Sequence, residues 1–82
     1  MPFNVISKNI IDFDVMDEAS ETVTYYGFAD FNTSGTDVAK WAIMKETVAG
    51  NITTREWAGG NKTKNKIWNN RAALSYSFLK TS

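Results

Sequence analysis

Apolar and polar positions alternate most informatively in residues 38–58, where two half-apolar β runs meet at Gly50-Asn51. Glycine reaches the positive φ that primed turns require, so a Gly-Asn pair between such runs predicts a hairpin. With Gly50 and Asn51 as the central turn residues, Ala49 faces Ile52. The same register sets Met44 against Trp57, Lys45 against Glu56 and Glu46 against Arg55. Two opposite-charge pairs, on opposite faces, follow from one assumption. A slip of one residue loses both.

The pattern extends to the rest of the chain. Residues 22–31 are dominated by Thr, Val, Tyr and Phe and predict a strand. Gly27 inside that run predicts a bulge or a close backbone approach. Residues 3–15 carry Phe3, Val5, Ile11, Phe13 and Val15 at period two, as one long bent strand or two short ones broken at Ser7-Lys8-Asn9. Residues 17–21 read as a polar turn, and residues 32–37 as a loop. Residues 59–66 contain no apolar side chain beyond glycine and form a basic loop. Residues 67–74 predict a turn or two of helix through Ala72, Ala73 and Leu74, opposed by Asn69-Asn70. Residues 75–80 read as a closing strand with Tyr76 and Phe78 on one face.

These elements predict an all-β fold with minor α content. The expected architecture is a small antiparallel β-sandwich or open barrel of about five strands, with one short helical turn. The connections are too short for parallel crossovers. Residues 1–82 are expected to form one domain, with residues 1–15 available as an arm that adds a strand to a neighbouring subunit.

Composition narrows the chemistry. A chain of 82 residues buries only about 60–65% of its unfolded surface, so its core is thin. There is no cysteine to staple it and no histidine, which leaves no Cys-His set for zinc. Aromatic packing, from three Trp, three Tyr and five Phe, and association with other chains are the remaining aids. Met1-Pro2-Phe3-Asn4 opens without a basic or long apolar segment, so no targeting sequence is expected. No apolar run approaches a membrane span. The sequons at Asn32, Asn51 and Asn61 read as polar turn chemistry.

The net charge is zero, but it is unevenly placed. Residues 1–38 hold seven acids against Lys8, and residues 39–82 hold eight bases against Glu46 and Glu56, so the halves bear −6 and +6. Two arrangements follow: the halves interleave in space, or they form two surface poles that favour head-to-tail contact between copies.

No enzymatic apparatus is evident. A nucleophile needs a base, and histidine is absent. Asp12, Asp14 and Asp17 lack the spacing of a calcium loop and read as a solvated strand face. Gly59-Gly60 lacks the spacing of a phosphate loop. Lys62, Lys64, Lys66 and Arg71 lie between Trp57 and Trp68, the ingredients of single-strand binding. The neutral total and a pI near 6.1 argue against nucleic acid. In the hairpin register Trp41 and Trp57 face opposite sides, one in the core and one at an interface or under the 67–74 turn. Arg71 is placed to stack on an aromatic ring or to bind a carboxylate. The candidate interface therefore comprises Trp41, Trp57, Trp68, Arg71, Tyr76, Lys62, Lys64 and Lys66, with no catalytic residue, cofactor or metal expected.

One resemblance adds to this. The chain runs Tyr26-Gly27-Phe28-Ala29, a Thr/Ser/Gly loop, Lys40-Trp41-Ala42-Ile43, Glu56-Trp57-Ala58-Gly59-Gly60-Asn61, and Ile67-Trp68-Asn69-Asn70-Arg71-Ala72-Ala73-Leu74-Ser75-Tyr76. This order resembles small proteins encoded among the virion genes of tailed bacteriophages, over roughly residues 25–78. Those run Tyr-x-Gly, Trp-x-Ile, Trp-Ala-Asp-Gly-Asn and Val-Trp-Asp-Asn-Arg-Ala-Ser-Leu-Thr-Tyr. Here Gly59 and Asn69 stand where that pattern has Asp, and the loop between them is Lys-rich. The resemblance implies a non-enzymatic virion component, such as a capsid decoration or neck or tail accessory protein. Its partners would be other virion proteins and copies of itself. The alternative from another class is a ligand- or glycan-binding β module that presents at least two aromatics along an exposed groove.

Overall fold

The structure is a computed structural model that describes residues 13–79. It is an all-β protein built on one open antiparallel sheet. The strands are β1 (Val15–Glu18), β2 (Val23–Ala29), β3 (Ala39–Ala49), β4 (Ile52–Ala58), β5 (Lys66–Ile67) and β6 (Tyr76–Ser77), with a 3-10 helix at Trp68–Ala73. The order across the sheet is β1-β2-β3-β4-β6, and β5 pairs with β3. The predicted strand and arm within residues 1–15, and Asp12, lie outside the described residues except for Phe13, Asp14 and Val15.

The hairpin has the register that charge pairing predicted. Met44 faces Trp57, Lys45 faces Glu56, Glu46 faces Arg55 and Ala49 faces Ile52. Gly50 takes φ 63°, so the turn has its positive φ at the first central position, as type II′ turns do. Glu46 and Arg55 form an ion pair at 3.1 Å. Lys45 does not take Glu56; its Nζ sits 5.0 Å from the Tyr76 ring centroid.

β3 is the spine of the sheet, flanked by β2 on one side and by β4 and then β5 on the other. The chain can leave β4 and return as β5 because Gly59 and Gly60 both take positive φ, 73° and 74°. Two consecutive left-handed residues are tolerable only without side chains.

Strand alternation sorts the side chains. One face carries Val15, Tyr25, Gly27, Ala29, Trp41, Ile43, Ala58 and Tyr76. Trp41, Ile43, Ala58 and Trp68 form a buried cluster there, with Val15, Tyr25, Ala29, Leu74 and Tyr76 packed around it. The 3-10 helix lies over this face. It does so at Gly27, where a Cβ would stand 2.7 Å from Trp68 Cε3. Gly27 is thus a close approach within a continuous ladder, with no bulge. The opposite face carries Tyr26, Phe28, Ala42, Met44, Glu46 and Trp57.

Several boundaries differ from expectation. β1 continues through Glu18, and the turn falls later, where Ser20 Oγ accepts from the Val23 N–H at 3.1 Å. The helical turn is 3-10, not α, in keeping with its six-residue length and the poor helix formers Asn69 and Asn70. The closing strand shrinks from residues 75–80 to two residues, because β4 pairs with β6 only at Trp57 and Ala58. Phe78 and Leu79 lie beyond it, exposed.

Candidate functional site

On the second face, at the end of the sheet where β2 and β4 finish, lies a groove of about 350 Å³. Its floor is Ala42 of β3, whose small side chain leaves a depression between its neighbours. Phe28 of β2 and Trp57 of β4 lean over it from either side, with ring centroids 5.5 Å apart and planes at 33°. Lys62 and Lys64 form the wall on the β4 side, and Asp14 and Ala29 lie on the other. Lys62 Nζ stands 5.4 Å from the Trp57 ring centroid, a cation–π contact. Asp14 Oδ2 accepts from the Ala29 N–H at 2.7 Å.

The loop that carries the lysines is held in place. The Gly60 N–H donates to Trp57 O at 2.9 Å, and the Thr63 N–H donates to Asn61 Oδ1 at 3.0 Å. Lys66 Nζ donates to Asn61 and Asn65, and its partial burial lowers its pKa. Lys66 therefore anchors the loop, whereas Lys62 and Lys64 are exposed at its tip.

The other predicted residues lie on the first face and within it. Trp41 is 4% exposed and Trp68 6%, with ring centroids 5.9 Å apart. Trp41 Nε1–H donates to Gly35 O at 2.9 Å, tying down the loop before β3. Arg71 does both things foreseen for it. Its guanidinium stacks 4.6 Å from the Trp68 ring centroid, and its Nε and Nη2 reach Asp17 Oδ2 at 3.0 and 2.9 Å. Tyr76 OH donates to Arg71 O at 2.7 Å, and burial pushes its pKa upward. Arg71, Trp68 and Tyr76 are thus a clamp that fastens the 3-10 helix to β1 and β6.

No family model, curated protein or solved structure matches this chain. The geometry alone therefore sorts the candidate residues. Trp57, Lys62 and Lys64 share one groove. Trp41, Trp68, Arg71, Tyr76 and Lys66 are engaged within the fold. Among the described residues no helix is long and apolar enough to cross a membrane.

Four groove residues, Asp14, Phe28, Ala29 and Ala42, are not among the candidates. Placing Phe28 beside Trp57 requires the β2–β3 register, Phe28 against Ala42, and no local signal encodes that pairing. Asp14 was legible only as one acid among several.

The second face also holds a buried charge. Glu46 is 2% exposed and is held by Arg55 Nε at 3.1 Å and Tyr26 OH at 3.3 Å. Burial, with the Glu46 charge adding to it, pushes Tyr26 up to about 12. This cluster satisfies its own polar atoms and reads as a structural element.

The strand order settles where the charges lie. β1, with Asp17 and Glu18, is an edge strand, and β4, with Arg55, lies across β3. Glu21 lies in the β1–β2 turn, and Lys62, Lys64 and Lys66 follow β4. The acids of β1 and its turn and the lysines that follow β4 therefore lie on opposite sides of β3, while β3 and β4 carry both signs, in Lys40, Lys45, Glu46, Arg55 and Glu56. Arg71 crosses to reach Asp17.

Proposed function

We propose that this chain is a non-enzymatic structural component of a tailed-phage particle, such as a capsid decoration protein or a neck or tail accessory. It works by contact with other particle proteins and with copies of itself. The observation that carries the reading is the charge separation across the sheet. An acidic edge in one copy complements the basic side of the next, and such contacts steer assembly and fix its register. A heterologous contact of this kind closes into a ring or extends as a string. Phe31, Ile52 and Phe78, exposed at 84%, 67% and 64%, supply apolar surface for burial. The aromatic and turn pattern over residues 25–78 supports the particle assignment.

Light scattering across a concentration series tests self-association. Discrete oligomers or growth with concentration are expected, weakened by salt and by the double reversal Glu18→Lys/Glu21→Lys. A strict monomer at every concentration would overturn self-association. Failure of the chain to co-sediment with the particles that encode it would overturn the particle assignment.

A second reading, a ligand-binding module, is favoured by one observation: Phe28 and Trp57 line an open groove with two lysines beside them.

A further inference from the structure

We propose that the Phe28–Trp57 groove binds a carboxylated sugar, one pyranose ring at a time. This deepens the ligand-binding reading and is independent of the particle assignment. The groove's 350 Å³ falls within the range of about 300–1,000 Å³ typical of small-ligand sites.

Its chemistry has three parts in fixed positions. Phe28 and Trp57 offer a paired aromatic surface. The C–H face of a pyranose is flat and weakly electropositive, which suits the electron-rich face of such rings. Lys62 and Lys64 offer cations on one wall, where a carboxylate would form charge-assisted hydrogen bonds. Asp14 stands on the other side, with Oδ2 occupied by the Ala29 N–H. A carboxylate keeps further acceptor capacity for sugar hydroxyls.

The basic residues divide in a way that supports this. Arg71 is committed to Asp17, Arg55 to Glu46, Lys45 lies over Tyr76 and Lys66 is bound to Asn61 and Asn65. Lys40, Lys62 and Lys64 are in no ion pair among the described residues, and of the three only Lys62, its Nζ over the Trp57 ring, and Lys64 reach the groove. Both line the groove on a loop held by hydrogen bonds, so little ordering is needed on binding.

Asp14 decides the ligand class. A phosphodiester strand or a polyacidic peptide brings anionic groups without a set of neighbouring hydroxyls, so it meets the Asp14 charge with nothing to donate to it. Each ring of a uronic acid has one negative end and a hydroxyl-bearing remainder. It can place its carboxylate at the lysines and its hydroxyls at Asp14.

The test is calorimetry and NMR on the full chain with four probes: trigalacturonate, maltotriose, hexaglutamate and oligo-dT. Trigalacturonate should bind about tenfold or more tighter than maltotriose, as two charge-assisted contacts imply. It should shift the Trp57 indole N–H more than those of Trp41 and Trp68. Lys62→Ala/Lys64→Ala, at exposed positions, should abolish the preference while leaving the fold intact. Equal binding of trigalacturonate and maltotriose, or a preference that survives the double substitution, would overturn the proposal. Tighter binding of hexaglutamate or oligo-dT at Trp57 would overturn the sugar class but keep the ligand-binding reading. Silence from all four probes would overturn both.

Discussion

Gly27 is where the sheet and the 3-10 helix touch, and Gly27→Ala measures that contact. A Cβ there would lie 2.7 and 2.8 Å from Trp68 Cε3 and Cζ3, and 2.8 Å from Val15 Cγ2. All three separations are too short for carbon atoms, and all three neighbours belong to the packed core. Overpacking of this kind costs about 1–3 kcal/mol. Replacing glycine also restricts the unfolded chain, which returns about 0.4–1 kcal/mol. The net expectation is a loss of about 0.5–2 kcal/mol, read from the urea midpoint by circular dichroism. The coupling between Gly27 and Trp68 gives a sharper measure of the contact. Trp68→Phe removes the outer part of the indole, so Gly27→Ala should cost less in that background, by about 0.5 kcal/mol or more. A Gly27→Ala protein as stable as the parent, or an equal cost in both backgrounds, would refute steric contact with Trp68 as the reason for glycine.

Three further outcomes are expected. Arg71→Lys keeps the charge but loses the paired N–H contacts to Asp17 and the flat stack on Trp68; it should cost about 1–2 kcal/mol in urea unfolding. Tyr26 is raised from 10.0 to about 12 by burial and then by Glu46, so the folded state holds its proton more tightly than the unfolded chain. Its stabilisation is complete below pH 10 and should fall away between pH 10 and 12, by on the order of 2 kcal/mol. Melting temperature against pH, with tyrosinate absorbance recorded in parallel, checks this, and Tyr26→Phe should flatten the fall. Gly50→Ala meets no atom within 4 Å, but φ is +63°; a purely conformational cost of about 1 kcal/mol is expected in the same urea assay.

The elements legible in the sequence were those whose partners lie nearby along the chain. The β3–β4 register could be read because Lys45, Glu46, Arg55 and Glu56 lie within a few residues of one turn. Arg71 announced its chemistry through its residue type but not its partner, which is 54 positions away at Asp17. β5 was read as part of a loop and helix because two residues carry no periodicity; β3 makes it a strand by offering an unpaired edge at Ala39 and Trp41. The groove was half legible. Trp57, Lys62 and Lys64 stood out by type and proximity, while Phe28 and Asp14 join them only through strand pairing.

The same pairing explains why the two faces have different uses. Trp41 and Trp57 lie on strands of one hairpin but with opposite parity, and the 3-10 helix covers only the Trp41 side. Sealing that side engages Trp68, Arg71, Tyr76 and Asp17, and joins the first strand of the sheet to its last. On the Trp57 side the small, buried side chain of Ala42 lies against two large rings that touch each other. A larger residue at that one β3 position would displace the rings and reshape the groove while staying on the face opposite the Trp41–Trp68 cluster. Ala42→Leu is therefore expected to abolish trigalacturonate binding while leaving the Gly27–Trp68 coupling unchanged. Retained binding in a folded Ala42→Leu protein would show that the ligand does not rest on the surface formed by Phe28, Trp57 and Ala42.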